Sequence, residues 1–439
     1  MSAGSHRATP VNETWRMGAW SLATIAGSLL AYIALETWRP GLVPPAIAFT
    51  GAGLVLGAEG VGWIDVSPDA GSLRLLAEAT LAFVLFSDAS RIDLRALRDG
   101  YAVPARLLGI GLPLTIAAGA GAALLVFPQL TTADAVVVAI VLAATDAALG
   151  QAVVTDERLP SAIRQGLNVE SGLNDGLCVP ALIIALALTD VRADTLDASE
   201  AVEIVAESIG YGLLMGAVAG VAAAGVQRRV TLGQDEERAV WRWLLSPVAA
   251  AFAYGLAAPL GGSGFIAAFV AGLVYGALTR ATRDSATPLA AQDLGALLNA
   301  LTFLAFGAAF MKPLIERATW DVALYALLSL TVVRMVPVAI ATLGTRSSPA
   351  TIAYLGWFGP RGLASIVFAV IVVEADVPNA STIIDATALT VTASILLHGL
   401  TAGPLTGRYV RGLRRREPRG IEAAATHVHV PVGGSSRLR

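Results

Sequence analysis

Apolar stretches of about 20 residues recur along nearly the whole chain, each long enough to cross a bilayer core of roughly 30 Å. Within hydrocarbon every backbone N–H and C=O must be satisfied inside the segment, so runs of this kind are restricted to helices. Composition agrees. Of 439 residues, 55% are hydrophobic and only 14% charged, with a mean hydropathy of +0.68, whereas soluble domains carry roughly a quarter charged residues. No polar block of domain size interrupts the pattern, as it would in a soluble chain of this length. A net charge of −3 offers nothing to nucleic acid. The single cysteine, Cys178, lies in an apolar run and excludes an internal disulfide. The chain reads as an all-α polytopic membrane protein.

Apolar runs bounded by Arg, Pro, Gly and acidic residues predict about thirteen transmembrane helices. They lie near 16–36, 42–58, 71–90, 101–127, 133–154, 161–189, 201–226, 239–258, 263–280, 291–312, 320–344, 349–374 and 383–406. The first run is too long for the apolar core of a cleaved signal peptide. Loop charge then sets orientation. Arg91, Arg95 and Arg98, Arg158 and Arg164, Arg228, Arg229, Arg238 and Arg242, Arg280 and Arg283 follow alternate runs. The tail adds Arg408, Arg411, Arg414, Arg415, Arg416 and Arg419, while an opposite loop is acidic at Asp190, Asp194, Asp197 and Glu200. The positive-inside rule places the C-terminus in the cytoplasm and the N-terminus outside, in the inner membrane of the cell. Residues 1–15 are then an extracytoplasmic segment and 16–406 the transmembrane domain. Residues 407–439 form a basic cytoplasmic tail, expected to be unstructured.

Charge inside the bilayer costs several kcal/mol and asks for a reason. Glu170-Ser171-Gly172-Leu173-Asn174-Asp175-Gly176 contains a common turn tripeptide. A helix starting after Gly176 would have only about 13 residues before Asp190, too few to span, so the polar stretch belongs to the helix. Ser171 and Asp175 then share one stripe, Glu170 and Asn174 the next. A hydroxyl and a carboxylate one turn apart suit a hard cation, which takes oxygen ligands. Thr145-Asp146 falls near the middle of 133–154, where it either interrupts the helix or sits in a continuous one with Asp146 hydrogen-bonded to a neighbour. Arg334 lies mid-span in 320–344, and Gly359-Pro360-Arg361-Gly362 breaks the twelfth run. Breakers at corresponding places in two halves point to a transporter built from inverted repeats, roughly 16–189 and 239–406, with discontinuous helices 5 and 12.

Taken in order, Thr145-Asp146, Glu170-Ser171-x-x-Asn174-Asp175, Arg334 and Gly359-Pro360-Arg361-Gly362 resemble the monovalent cation:proton antiporters of the NhaP/Na+/H+-exchanger type. The resemblance spans about 16–406. It implies a thirteen-helix homodimer with a dimerisation domain and a mobile core domain, exchanging Na+ or Li+, or alternatively K+, for H+ across the lipid bilayer. It implies that Asp175 carries ion or proton with Asn174 beside it, and that Ser171, Thr145 and Asp146 support the site. It implies that Glu170 pairs with Arg334, and that Arg361 offsets the negative half-helix ends. Asp88 resembles a funnel acid, although a helix-end Asp facing water explains it equally well. Many relatives have Pro after Thr-Asp, where this chain has Ala147. With Asn174 rather than a second acid, a single titrating carboxylate suggests electroneutral one-for-one exchange. No cofactor motif or ATP-binding string is present, and transport, not enzymatic catalysis, is expected.

One rival comes from another class. Gly261-Gly262-Ser263-Gly264 matches the G-x-S-G string of rhomboid-like intramembrane proteases, and His398 would have to serve as the base for Ser263. Small residues at a tight helix connection and a histidine packed between helices explain both better, and the protease reading leaves the thirteen spans and the Glu-Ser/Asn-Asp constellation unexplained.

Overall fold

The computed structural model describes residues 10–58, 60–64, 71–92, 102–146, 149–192, 197–231, 239–280, 287–375, 377–415 and 419–423. Every regular element among them is helical. The order begins α1 (Pro10–Trp38), α2 (Pro45–Leu56), α3 (Gly71–Arg91) and α4 (Ala102–Arg106), which runs through a π-helical turn into α5 (Leu112–Val126). Next come α6 (Thr132–Val141), α7 (Gln151–Val154), α8 (Ser161–Arg192), α9 (Ala198–Thr231), α10 (Ala239–Ala257) and α11 (Gly264–Thr279). The rest are α12 (Thr287–Arg317), α13 (Trp320–Leu330), α14 (Val332–Ala341), α15 (Pro349–Trp357), α16 (Leu363–Glu374) and α17 (Ala380–Leu413). Seven described helices are long and apolar enough to cross a membrane. Other apolar helices are shorter, including α2, α6, α11 and α16, which run from 10 to 17 residues.

Small residues let these helices approach closely, as they do where lipid supplies no hydrophobic drive for association. Gly212, Gly216 and Gly220, spaced four apart on α9, meet Ile266, Ala267 and Ala271 of α11. The other side of α11 presents Gly272 and Gly276 to the backbone of Phe86 and Ser90 on α3. The α3, α9, α10 and α11 helices share one apolar cluster, containing Phe86, Ala219, Ala253 and Tyr275. A second, larger cluster joins residues of α3, α5, α6, α8 and α16.

Three runs that the hydropathy pattern joins are divided. The fifth stops at Val141 and resumes at Gln151; the residues between include Ala147, which lies outside the described residues. The twelfth stops at Trp357 and resumes at Leu363. The eleventh is divided at Thr331, whose φ of −114° and ψ of −92° depart from helix. By contrast, the polar Glu170–Gly176 stretch is continuous helix inside α8. A turn of sequence type Asn-Asp-Gly is overridden because helix formation satisfies the backbone where water is excluded.

The tail differs from expectation. The last helix continues to Leu413, and a 3-10 turn at Gly420–Ala423 docks with Ile421 and Glu422 buried. Ser348 Oγ donates to Glu422 Oε1 at 2.5 Å, Thr351 Oγ1 donates to the same oxygen, and Ile421 N donates to Ser347 Oγ at 3.1 Å. A carboxylate against the N-terminal turn of α15 is favoured by the helix dipole and its hydroxyl donors. Part of the 407–439 segment is therefore ordered.

Candidate functional site

Two of the three interrupted runs, the fifth and the twelfth, meet at their breaks, and the meeting is explained by asking where the backbone groups go. Thr131 and Asp134 form a capping box that starts α6: Asp134 N donates to Thr131 Oγ1 at 3.2 Å and Thr131 N donates to Asp134 Oδ2 at 3.0 Å. At its other end the helix releases four carbonyls, and each receives a side-chain donor from elsewhere. Ser365 Oγ donates to Val141 O at 2.7 Å, Asn174 Nδ2 to Ala143 O at 2.9 Å, Arg361 Nη1 to Ala144 O at 3.2 Å and Ser171 Oγ to Thr145 O at 2.7 Å. Extended backbone at membrane depth survives only with such partners.

Asp146 joins the two breaks. Its N–H donates to Pro360 O at 2.8 Å. Its Oδ2 accepts from Leu363 N at 2.8 Å and its Oδ1 from Leu149 N at 3.1 Å. The carboxylate thus sits on the positive N-terminus of α16, while the Arg361 guanidinium donates to Ala144 O just beyond the negative end of α6. Arg361 is fully buried. At Gly362 a Cβ would collide with Asp146 Oδ2, so the close approach requires glycine. Sequence grouped Asp146 with the ion ligands. Both of its carboxylate oxygens accept from backbone N–H groups, and a cap contributed by a distant segment has no local signature.

The α8 helix crosses beside this break. Glu170 and Arg334 form a buried bidentate pair, Nη1 to Oε1 at 2.5 Å and Nη2 to Oε2 at 2.9 Å, linking α8 to the first turn of α14. Asn174 is occupied on both sides: its amide also lies 3.4 Å from Thr145 Oγ1, and its Oδ1 accepts from Cys178 Sγ at 3.3 Å. Asp175 is buried, and its Oδ1 has no hydrogen-bond partner. The charged groups that act on it are Asp146, Asp88 and Arg361. Asp88 on α3 is half-buried against Gly172, the residue between Ser171 and Asp175 on the same helix. A crevice is lined by Thr145, Asp146, Gly150, Val153, Glu170, Ser171 and Phe358.

A model of the transmembrane sodium/hydrogen exchanger family matches residues 25–408. The chain belongs to that family. It is 28% identical over 354 residues to the Na(+)/H(+) antiporter NhaP of Pseudomonas aeruginosa, covering 76% of this chain and 80% of that protein. A probable Na(+)/H(+) antiporter of Schizosaccharomyces pombe is 24% identical over 279 residues, 58% of this chain and 35% of that longer protein. The fold is similar to that of the sodium proton antiporter MjNhaP1 of Methanocaldococcus jannaschii. The TM-score is 0.71 at 20% identity, covering 88% of this chain and 100% of the other.

The protease reading finds no support. Ser263 is the N-cap of α11, its hydroxyl accepting from Ile266 N at 3.3 Å. His398 contacts Ser394 and the Trp357 carbonyl, and no described hydrogen bond joins it to Ser263. Sequence reasoning passed over Ser365 and Ser394 as site residues. Single serines in apolar runs are too common to stand out before their partners are known.

Proposed function

We propose that the protein exchanges a monovalent cation, sodium or lithium, for a proton across the membrane, with Asp175 holding either one but not both. The carrying observation is the buried Asp175 carboxylate with Oδ1 unpartnered, in a member of the sodium/hydrogen exchanger family. Charge balance supports the reading. Glu170 faces Arg334. Asp146 and Arg361 occupy opposite ends of the crossing half-helices. Asp175 is left requiring a counter-charge or a proton, because an isolated buried charge costs several kcal/mol. Either occupant neutralises it and permits the crossing helices to move relative to the surrounding bundle, whereas the empty charged form is held back. That selection couples the two fluxes.

Ser171, Thr145 and Asn174 complete the site in this reading, with Asp88 on the approach. Asn174, with its amide and carbonyl both engaged, adds no charge, which favours one cation per proton. The chain works as a homodimer of core and dimerisation domains, its inverted repeats alternating access. With the Arg158 and Arg164 loop in the cytoplasm, the crevice beside Ser171 is the inner approach to Asp175. The test is reconstitution in proteoliposomes with a pH-sensitive dye and pulses of sodium, lithium and potassium. Asp175→Asn is expected to abolish cation-driven proton flux at unchanged protein content. Undiminished exchange in that variant overturns the reading. An imposed membrane potential is expected to leave the wild-type rate unchanged, and a potential-dependent rate overturns the one-for-one stoichiometry.

A further inference from the structure

Both ends of the Phe358–Gly362 break are tied to one stripe of α17. The stripe is Ser394, His398 and Thr401, spaced four and three residues apart on one helix face. Ser394 Oγ accepts from Arg361 N at 2.7 Å, and His398 Nε2 lies 2.9 Å from Trp357 O. Thr401 Oγ1 accepts from Trp357 Nε1 at 3.1 Å, and the Trp357 ring lies 5.1 Å from the His398 ring. Ser394 and His398 also meet each other, Oγ to Nδ1 at 3.0 Å, and both are buried.

Hydrogen-bond bookkeeping fixes the direction. Arg361 N–H donates to Ser394 Oγ, so the hydroxyl proton is available for His398 Nδ1, and the imidazole proton sits on Nε2 and goes to Trp357 O. Nδ1 also lies 3.0 Å from Ser394 O. Using that contact in a neutral ring would move the proton to Nδ1 and face the Trp357 carbonyl with a bare lone pair. The chain Arg361 N–H to Ser394 to His398 to Trp357 O is therefore a closed clamp across the break.

The clamped segment reaches the ion site through one backbone contact and one side-chain contact. Between its fixed ends, Pro360 O receives Asp146 N–H, and Arg361 reaches Ala144 O. The adjoining Ala143 and Thr145 carbonyls hold Asn174 and Ser171, which flank Asp175 on α8. We propose that Ser394 and His398 are positioning residues for the Asp175 site, setting its geometry through residues 357–361 and 143–146. This inference rests on the exchange reading above.

The test uses full-length protein in proteoliposomes and compares His398→Ala, His398→Gln and Ser394→Ala. Two quantities are read: the apparent KM for sodium, and the alkylation rate by N-ethylmaleimide of Cys178, the chain's single cysteine, which donates to Asn174. Loss of one buried hydrogen bond predicts a KM raised roughly 3- to 10-fold in His398→Ala and Ser394→Ala, with Cys178 alkylation accelerated by a similar factor. His398→Gln, which keeps an N–H donor able to reach the Trp357 carbonyl, is expected to recover most of both. Wild-type values of both in the two alanine variants overturn the proposal. So does an equal loss of thermal stability in His398→Ala and His398→Gln with KM and alkylation unchanged, which marks a packing role alone. If His398→Ala fails to reach the membrane, Ser394→Ala, which deletes only a hydroxyl, decides. If the wild type exchanges no cation, the exchange reading fails by itself while the alkylation comparison still decides the clamp.

Discussion

The two helix breaks at the crossing are held open by different means. The Phe358–Gly362 break carries its own cause, since proline removes a donor and glycine permits close approach. A Cβ at Gly359 would strike the Arg334 guanidinium, and one at Gly362 would strike Asp146. The break after Val141 has no proline among its described residues and is held by captured carbonyls, with Ser365, Asn174, Arg361 and Ser171 each taking one. One interruption is set by what the local chain lacks, the other by what distant side chains supply. The second break is therefore expected to fail when atoms are added, and the first when partners are removed.

Asp146→Ala should have the largest effect, because it removes the acceptor for two backbone N–H groups and the negative charge at the N-terminus of α16 at once. A loss of about 3–5 kcal/mol is expected, as for a broken buried charge arrangement, read as a lowered melting midpoint in detergent. A melting midpoint near wild type would show that the two breaks are not coupled through this carboxylate. Glu170→Gln should be comparable but independent of the breaks, leaving the buried Arg334 without its ion pair. Purified yield and melting midpoint are expected to fall together, and unchanged folding with altered cation affinity would reassign Glu170 to the ion site.

Gly362→Ala follows, with overpacking against the fixed Asp146 carboxylate expected to cost about 1–3 kcal/mol. Pro360→Ala should cost less, because the neighbouring Arg361 N–H is already committed to Ser394. If the proline variant is the more damaging in the same melting assay, composition rather than packing holds the second break. The smallest effect is expected from Ser365→Ala, about 1 kcal/mol for one hydrogen bond between half-helices. A loss well above that would mean that Val141 O finds no other donor.

Legibility follows the same division. Gly359-Pro360-Arg361-Gly362 announces its break because the cause is local. The Thr145-Asp146 break was open to either reading, since nothing near it in sequence names Ser171 or Asn174 as the groups that take its carbonyls. The polar Glu170–Gly176 stretch was legible as helix from length alone, because a shorter span would not cross the bilayer. Arg334 stands out as a buried charge, and its partner Glu170, 164 residues away, is named only by the family resemblance. His398 stands out as a histidine in an apolar run and a formal base for Ser263, and its contact with the Trp357 carbonyl gives it a different meaning.

The amino-acid sequence by itself determined that this chain is a bundle of membrane helices and which few charges lie within it, because hydrocarbon imposes the same length and polarity limits on every span. Only the tertiary structure decided that Asp146 bridges two breaks while Asp175 keeps an oxygen without a partner. Both are aspartates in apolar surroundings, and the difference lies in whether the surrounding segments engage both carboxylate oxygens or leave one without a partner.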